Sequence, residues 1–415
     1  MSIVQARRHV AALLLSVTGM AVPDASAAQE DDRYRELARR VVGTSAAMKP
    51  GEVVVIVGAK HVLPLMEAVA VEVTRAGAIP FSQLESERVF STFFRDMPEQ
   101  HLRLYDSAST KAYGDQLRTA DAMIFLPLFT NPDSLFRVFS ADTARWAKVM
   151  ETYAASQSRF DAMRNTARTR FVFVNYPPTQ TSIAESGMDS TSFDRMVWEA
   201  ITTDYDRIAA QGRAIKRLLD GGKMVRVTTP DGTDLQLRLT GRPAAMTGAT
   251  LTAEQRRAKL AGQRTVTLPG GRVAVAPLEN SGSGKVVVAR DKCGGGPLVN
   301  ARFEVRAGKL TGFQADSGAS CVASLLGAAP GPDDVVGSLS IGLNPALKPT
   351  ENTAGFRPWE ASGAVVLSFG NNADLGGTNN TPAAMPFWLS RATVEIDGKV
   401  VVKDGQIATD VAQGR

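Results

Sequence analysis

The chain has 415 residues, of which 44% are hydrophobic and 21% are charged, and its formal net charge is +5. This length allows two domains of ordinary size, and the composition is that of a globular protein rather than a disordered one. The small positive charge is spread along the chain, so it gives no indication of nucleic-acid binding.

The first residues have the pattern of an export signal. Arg7-Arg8 precedes an apolar run from Val10 to Val22, which is too short to cross a bilayer, and Ala25-Ser-Ala27 offers small residues for cleavage. We expect removal of residues 1–28 and a periplasmic or secreted protein. A twin-arginine route remains open, although the residues around the arginine pair favour ordinary export. No later apolar run reaches transmembrane length, so we expect no membrane span.

Residues 29–220 alternate between helical and strand patterns. Apolar residues at helical spacing over Asp31–Met48 precede the β-branched run Glu52–Val57, which is typical of a strand buried on both faces. Further apolar strands are predicted at 122–126 and 170–174, with helical stretches between them. This alternation predicts a doubly wound parallel sheet, an α/β domain.

From Lys223 the chain changes to short strand patterns separated by glycine-rich turns, directly after Gly221 and Gly222 end a predicted helix. We therefore place a domain boundary between residues 220 and 221. The C-terminal domain, residues 221–415, is predicted to be mainly β (α+β), with few helices.

The chain has two cysteines, Cys293 and Cys321, and both lie in the C-terminal domain. In an oxidising compartment a bridge between them would contribute about 3 to 4 kcal/mol in the chain-entropy model. Two unpaired buried thiols are the alternative, and the residues leave both readings open. No further Cys or His ligands lie nearby, so a zinc site is excluded.

Four glycine-marked segments follow one another in the C-terminal quarter: Gly337–Pro345 (GSLSIGLNP), Gly363–Gly370 (GAVVLSFG), Gly376-Gly377 and Val394–Gly398 (VEIDG). Their order and spacing resemble the catalytic half of the thermophilic dinuclear metallo-aminopeptidases, the aminopeptidase T and aminopeptidase S type. The first strand-helix unit also resembles the N-terminal domain of that family. The resemblance implies a metallo-aminopeptidase-like two-domain architecture and a homodimer in which the partner shields the active cavity.

That family holds two divalent metal ions, such as zinc or cobalt, with carboxylates and histidines. The positions that match its ligands, or its nearby tyrosine, carry unsuitable side chains in this chain: Arg272, Ser338, Val366, Phe369, and a pair near Ala384 and Pro386. No histidine follows His101. We therefore predict no metal ligands and no cofactor, although the family itself would use two metal ions.

The same match places Arg272 and Ser338 in the vacated cleft, beside the turn that contains Asn371, Asn372 and Asp374. Arg272 would pair with a carboxylate of the ligand. The hydroxyl of the serine, the side-chain amides of the two asparagines and the carboxylate of Asp374 would form hydrogen bonds with a polar ligand. Alternatively, the turn residues only provide left-handed turn conformations.

A permanently charged Arg272 needs a partner when it is buried. We expect it within hydrogen-bonding distance of a ligand carboxylate or of one of three acids that the match places nearby: Glu279, Glu360 and Asp374.

Other constellations are weaker. Ser281–Lys285 lacks the glycine and the Ser or Thr of a phosphate loop, so it is predicted to be a turn.

His61 follows the first predicted strand, where parallel sheets often bind ligands. Isolated histidines such as His61 and His101 are nevertheless more often structural than functional. A Ser-His hydrolase is excluded because the β domain has no histidine and no GxSxG turn.

Two functional hypotheses follow. The first is an exported pseudoenzyme of the aminopeptidase family that binds a peptide, an amino acid or another small polar molecule. The second is an active aminopeptidase or other hydrolase with a rebuilt site, in which Arg272, Ser338 and the Asn-rich turn supply electrostatic stabilisation. The iron-dependent dihydroxypyridine ring-cleaving dioxygenases look like distant relatives, but they also depend on His and Asp ligands. Catalytic residues cannot be assigned from the sequence.

Overall fold

The computed structural model describes residues 25–132, 143–293, 296–326, 331–349, 358–381 and 384–412. The predicted export signal, residues 1–28, lies almost wholly outside these ranges. Within them, no helix combines the length and apolar character that crossing a membrane requires.

The N-terminal half is built on a five-stranded parallel sheet, sheet A, with the strand order β2-β1-β3-β4-β8. Its strands are β1 (Val53–Ala59), β2 (Ile79–Glu85), β3 (Ala122–Phe125), β4 (Arg170–Val174) and β8 (Thr265–Leu268). The strand order reverses between β1 and β3, which makes the carboxyl ends of these strands the place where such sheets bind ligands. The predicted doubly wound parallel sheet is confirmed.

Helices cover both faces of sheet A. Leu65 and Val69 of α2 (Leu63–Arg75) pack on the face that carries Ile56, whereas Leu117 of α4 (Glu99–Thr119) packs on the face that carries Val55. The other helices of this half are α1 (Ala25–Arg40), α3 (Glu87–Asp96), α5 (Thr143–Thr166), α6 (Gln180–Ser186), α7 (Ser190–Thr202) and α8 (Tyr205–Gly221).

The C-terminal half consists of two antiparallel sheets that enclose one core. Sheet B has the order β12-β11-β10-β6-β5-β16-β17-β18, and sheet C has the order β15-β14-β13-β9-β7. The strands of sheet B are β5 (Met224–Thr228), β6 (Asp234–Arg238), β10 (Ser283–Cys293), β11 (Gly296–Arg306), β12 (Lys309–Gln314), β16 (Thr393–Ile396), β17 (Lys399–Lys403) and β18 (Gln406–Ile407). The strands of sheet C are β7 (Ala245–Thr247), β9 (Arg272–Val275), β13 (Val336–Gly342), β14 (Val365–Gly370) and β15 (Ala384–Trp388).

Three short helices complete this half: α9 (Ala253–Arg257), α10 (Ala319–Leu325) and α11 (Thr409–Ala412). The core between the sheets is formed by alternate residues of their strands, such as Leu237, Phe303 and Leu367. An α/β half followed by a mainly β half is the predicted fold class, which is therefore confirmed.

The chain crosses between the two halves more than once. Helix α8 ends at Gly221 and β5 begins the C-terminal sheets, close to the proposed boundary at residues 220 and 221. However, β8 then returns to sheet A and pairs in parallel with β4. Val266 and Leu268 of β8 are buried in the N-terminal core, so these residues complete the α/β half although they follow the boundary.

A disulfide joins Cys293 at the end of β10 to Cys321 in α10. The sequence left open whether the two cysteines are bonded or unpaired, and in the structure they are bonded. It closes a loop with a sequence separation of 28 residues and holds the short helix α10 against the edge of the β core, where Val322 is buried.

Replacing both cysteines, Cys293→Ser with Cys321→Ser, should lower the free energy of unfolding by about 3 kcal/mol, because the unfolded chain regains the freedom that the bridge removes. Urea denaturation of the wild type and the double variant measures this difference. A reductant should destabilise the wild type by the same amount and leave the variant unchanged. Equal stability of both proteins without reductant would contradict the assignment.

Candidate functional site

One face of sheet C packs in the core and the other faces the N-terminal half. Leu339 and Ile341 of β13 belong to the core, and because side chains alternate along a strand, Ser338 and Ser340 lie on the opposite face. On that opposite face Val366 packs with Ala200 of α7. We call this the outer face of sheet C.

The strand register gathers most of the predicted site positions on the outer face. Gly342 pairs with Arg272, Ser340 with Val366, Ser338 with Ser368, and Ser368 with Pro386. Five of the positions that match family ligands therefore share one face: Arg272, Ser338, Val366, Ala384 and Pro386. Phe369 is the exception, because it lies in the core against Phe303 and Phe387.

Two serines that the sequence reading did not single out, Ser340 and Ser368, stand on the same face as Ser338 and are buried. The i, i+2 spacing of Ser338 and Ser340 within an apolar strand was the signal that could have identified Ser340. Ser338 is half-buried, and its hydroxyl makes no hydrogen bond to the described residues.

The outer face does not provide ligands for a pair of divalent metal ions. Nowhere in the described ranges do three or more His, Cys, Asp or Glu side chains form a group that could hold a metal ion. The matching positions offer a guanidinium, a hydroxyl and apolar groups, and the charge of Arg272 would repel a cation. The residues present therefore do not fit the dinuclear centre that the resemblance implies.

Arg272 is positioned by the short connection between sheets A and C. Pro269-Gly270-Gly271 links β8 directly to β9, so Arg272 begins sheet C immediately after the chain leaves sheet A. Gly271 has φ 119°, and a Cβ there would lie 3.1 Å from Ile208 and 3.3 Å from the main chain of Asn344. Only glycine fits this conformation and this close approach.

Side chains from both halves hold the connection in place. The fully buried Asn344 donates its amide to the carbonyls of Gly270 at 2.9 Å and Ala200 at 3.0 Å. The hydroxyl of Tyr205 accepts the N–H of Gly270 at 3.1 Å and donates to Ala200 at 2.8 Å. Helices α7 and α8 are thereby bonded to the residues that place Arg272.

The guanidinium of Arg272 has few partners for a group this buried. Its side chain is 22% exposed, and Nη1 lies 3.9 Å from Oε1 of Glu360. The guanidinium also lies over the ring of Trp359, 5.1 Å from the centroid. Among the described residues it makes no hydrogen bond, and its buried Nε has no partner.

Arg272 therefore meets a predicted acid as a loose ion pair, beyond the hydrogen-bonding distance that we expected. The other two predicted acids are engaged elsewhere, because Glu279 pairs with Arg242 and Asp374 pairs with Arg164.

Arg264 is a second buried arginine of this chain, and its hydrogen bonds serve only the fold. Its side chain is only 1% exposed, and its guanidinium donates five hydrogen bonds to main-chain carbonyls. All five donors of the group are thereby used. At its site between the two halves Arg272 makes no hydrogen bond to the part of the chain that the structure describes, which distinguishes it from Arg264.

The structure gives Asn372 an internal role. Its side chain is 2% exposed, its amide donates to Oε1 of Glu279 at 3.1 Å, and its oxygen accepts the N–H of Asn379 at 2.8 Å. Glu279 also accepts the N–H of Thr378 at 2.7 Å and forms an ion pair with Arg242. These bonds fix the Asn-rich turn and engage both polar side-chain atoms of the buried Asn372 within the protein.

Asn371 and Asp374 connect the turn to α5 in the N-terminal half. Asn371 donates to Oδ2 of Asp161 at 2.9 Å, and Oδ2 of Asp374 lies 3.5 Å from Nη1 of Arg164. Oδ1 of Asp374 and Nε of Arg164 are buried and have no hydrogen-bond partner among the described residues. Burial raises the pKa of the neighbouring Tyr113 to about 12. Asp161 and Arg164 could not be singled out from the sequence, because an acid and an arginine three residues apart are ordinary on a helix.

A cavity of about 380 Å³ opens at the carboxyl edge of sheet A. Its lining is mostly apolar and includes Leu128, Phe129, Phe193 and Leu347, with Asn175 among its few polar groups. Glu360 is the one ionisable residue among the described residues that line it. Because Glu360 also pairs with Arg272, the cavity and the outer face of sheet C meet at this carboxylate.

Neither described histidine joins the site. His61 follows β1, and burial lowers its pKa while the charge of Glu87 opposes this in part. His101 is exposed and lies beside Gln100. The Ser281–Lys285 segment was predicted to be a turn, but Ser283 to Lys285 begin β10, and only Ser281 and Gly282 precede the strand. The hydroxyl of Ser281 donates to the carbonyl of Leu278 at 2.6 Å.

Glu279→Gln should destabilise the protein at neutral pH by about 2 kcal/mol, because it removes the charge that buried donors and Arg242 require. Burial would raise the pKa of Glu279, but hydrogen bonds from Thr378 and Asn372 and the charge of Arg242 outweigh it and hold the pKa below 4.5.

A lowered pKa stabilises the folded state above pH 4.5, and this contribution is lost as the pH falls through the folded pKa. The destabilisation by Glu279→Gln should therefore shrink in acid, which denaturation at pH 7 and below pH 4 would measure. Glu304→Gln, at an exposed ion pair with Arg306, is the control and should change little at either pH. If Glu279→Gln lowered the free energy of unfolding equally at both pH values, the stabilising role of the Glu279 carboxylate would be contradicted.

Comparisons with known proteins agree with this architecture. The sequence profile of Peptidase_M29, described as thermophilic metalloprotease (M29), matches residues 30–345, and the profile of NicX, described as 2,5-dihydroxypyridine 5,6-dioxygenase, matches residues 344–409. No curated protein sequence matches the chain.

Two solved structures share the fold along almost their whole length. Wild-type AmpT from Thermus thermophilus has a TM-score of 0.64 at 17% identity, over 91% of this chain and 99% of AmpT. The 2,5-dihydroxypyridine dioxygenase from Pseudomonas putida KT2440 has a TM-score of 0.57 at 14% identity, over 92% of this chain and 97% of the dioxygenase. At such identities these likenesses show the fold alone. The M29 profile covers more than half of the chain, and the chain therefore belongs to the thermophilic metalloprotease (M29) family.

Proposed function

We propose that this M29-family protein is exported to the periplasm or the exterior and there binds a small molecule that carries a carboxylate, such as an amino acid or a short peptide. Its site is the outer face of sheet C, and it does not hydrolyse peptides through a dinuclear metal centre. The protein acts as a homodimer, as the resemblance to the metallo-aminopeptidases implies. The observation that carries the proposal is the guanidinium of Arg272, which makes no hydrogen bond to the described residues and whose Nε is buried without a partner among them.

A guanidinium that is largely removed from water loses the hydrogen bonds that water supplied, and this costs free energy unless other acceptors replace them. Arg264 has such acceptors and Arg272 does not, within the described residues. A ligand carboxylate would supply two acceptors in the planar geometry that the guanidinium prefers. Trp359 lies against the face of the group and leaves its edge, where the donors point, for the ligand.

The surroundings of Arg272 favour an amino acid or a peptide over a simple anion. Glu360 lies 3.9 Å from Arg272, close enough to attract the ammonium group of a zwitterion while Arg272 holds its carboxylate. The apolar cavity beside Glu360 would take an apolar side chain of such a ligand. Ser338 adds a hydroxyl on the same face.

A carboxylate ligand should bind more tightly than its amide, and the difference should depend on Arg272. We expect leucyl-leucine to bind at least about tenfold more tightly than leucyl-leucinamide, since hydrogen bonds to a charged group contribute about 1.5 to 3 kcal/mol. Arg272→Gln should remove this preference. Arg272→Lys should retain part of the preference, because lysine keeps the positive charge but lacks the planar pair of N–H donors that binds a carboxylate through two hydrogen bonds. Isothermal titration calorimetry measures the affinities.

Arg306→Gln is the matched control, because Arg306 is exposed, is paired with Glu304 and belongs to sheet B rather than to sheet C. It should bind as the wild type does. Equal affinities for acid and amide, or wild-type binding by Arg272→Gln, would remove the basis of the proposal.

Added metal should not create peptidase activity. The purified mature protein, supplied with zinc, cobalt or manganese, is expected to retain no stoichiometric metal and to release no product from a leucine anilide, because the matching positions offer no ligands. Elemental analysis and the anilide assay test this together. Stoichiometric metal with metal-dependent turnover would instead establish an active aminopeptidase. Metal-independent turnover that Arg272→Ala and Ser338→Ala abolish would establish a hydrolase with a rebuilt site.

A further inference from the structure

The cavity at the carboxyl edge of sheet A is larger than an aliphatic side chain requires. Its volume is about 380 Å³. An apolar cavity of about 150 Å³ is already enough to bind benzene. A leucine side chain would therefore leave most of the space empty and would lose contacts with the walls. Water would find few polar partners there, because the described lining is mostly apolar. The volume favours a side chain of the size of two fused aromatic rings.

The walls of the cavity suit an aromatic group. Phe129 follows β3 and Phe193 belongs to α7, and both line the cavity. Contacts between aromatic rings stabilise a complex beyond the burial of their area. Prolines form much of the remaining lining: Pro127, Pro132, Pro177, Pro178, Pro269 and Pro358. Proline has a fixed φ and no N–H, so these residues make a stiff wall that offers a ligand no main-chain donor.

Asn175 carries the uncommitted amide among the described residues that line the cavity. It follows β4, where its N–H donates to the carbonyl of Leu268 at 2.7 Å, and its side chain makes no hydrogen bond to the described residues. The hydroxyls of Thr179 and Ser182 are instead bonded to the turn that begins α6, at 3.1 Å and 2.8 Å. The side-chain oxygen of Asn175 is therefore an available acceptor. An indole N–H, which can only donate, fits such an acceptor.

The spacing of Arg272 and Glu360 matches the charged end of an α-amino acid. Nη1 of Arg272 lies 3.9 Å from Oε1 of Glu360, and neither side chain makes a hydrogen bond to the described residues. In a free α-amino acid the ammonium nitrogen and the carboxylate oxygens lie about 3 Å apart, because they flank one carbon atom. In an extended dipeptide the two charged ends are about 6 to 7 Å apart, since each residue adds about 3.3 to 3.6 Å. The closely spaced pair therefore favours a free amino acid over a peptide.

The fold itself holds these two charged residues at this spacing. The carbonyl of Glu360 accepts the N–H groups of Leu343 at 2.9 Å and Asn344 at 2.6 Å. The side chain of Asn344 donates to the carbonyl of Gly270, in the connection that places Arg272, at 2.9 Å. Asn344 thus bonds to both segments, so the distance between the guanidinium and the carboxylate is set before a ligand arrives.

We propose that the ligand is a free α-amino acid with an indole side chain, tryptophan or a close relative of it. The inference rests on the proposed function, because Arg272 still binds the carboxylate. The ammonium group bonds to Glu360, the indole ring fills the cavity against Phe129, and its N–H donates to Asn175. The two charged residues thus recognise the part that all α-amino acids share, and the cavity selects the side chain.

A series of amino acids tests the cavity. In isothermal titration calorimetry with the full-length mature protein, tryptophan should bind at least about thirtyfold more tightly than alanine and more tightly than leucine, because its ring is removed from water. Benzothienylalanine, in which sulfur replaces the indole N–H, should bind about fivefold more weakly than tryptophan. Asn175→Leu should remove this last difference. Gln236→Leu, at an exposed amide of β6 in sheet B, is the control and should retain it.

Changes to the ammonium group test the charged end. N-acetyltryptophan lacks this charge and glycyl-tryptophan displaces it, so each should bind at least about tenfold more weakly than tryptophan. Glu360→Gln should remove most of this difference and leave the preference for a carboxylate over its amide, which belongs to Arg272. Glu304→Gln, at the exposed ion pair of sheet B, is the matched control and should bind as the wild type does.

The results separate this inference from the proposed function. If leucine or glycyl-tryptophan binds as tightly as tryptophan while Arg272 still sets the preference for a carboxylate, the indole amino acid is overturned and the proposed function stands. A preference for tryptophan that depends on Asn175 and not on Arg272 would support the indole site and contradict the carboxylate site. If none of these amino acids and peptides binds, both proposals are overturned.

Discussion

The position of the candidate site depends on one constraint, the three-residue connection between β8 and β9. It is too short to allow the two sheets any independent placement, and Gly271 has a conformation that only glycine adopts readily. Asn344 and Tyr205 then bond the connection to helices α7 and α8. The outer face of sheet C is consequently held against the N-terminal half, and Arg272 is placed where the two halves and the apolar cavity meet.

This arrangement explains how the M29 fold can carry the side chains that the described residues place on the outer face of sheet C. The outer face is built by strand pairing and by the core behind it, and neither depends on which side chains point outward. A guanidinium, hydroxyls and apolar groups therefore occupy that face without disturbing the sheets. Arg264 and Arg272 differ in this respect, because carbonyls saturate the guanidinium of Arg264, whereas the guanidinium of Arg272 makes no hydrogen bond to the described residues.

Much of the architecture could be predicted from the sequence, because its signals are local. The β-branched run at Glu52–Val57 and the glycine-rich turns after Lys223 identify a buried parallel strand and a β half, and the spacing of motifs aligns Arg272 and Ser338 on one face. Other features are not local. Strand β8 is four residues long and carries no sign that it returns to sheet A. The bonds of Asn372 with Glu279, and of Asn371 with Asp161, join residues far apart in the chain. Composition cannot separate an amide that binds a ligand from one that fixes a turn.

The return of β8 to sheet A also determines what can be cut from this protein. A fragment that ended at Gly221 would contain every helix of the α/β half and four of its five parallel strands, but β4 would become a bare edge rich in Phe and Val. Such an edge recruits foreign strands and leads to aggregation. The complementary fragment would carry Val266 and Leu268 into water with no sheet to receive them. The two halves therefore cannot be exchanged as modules by recombination at their apparent junction, and a protease that cut there would leave two pieces that still cohere through β8.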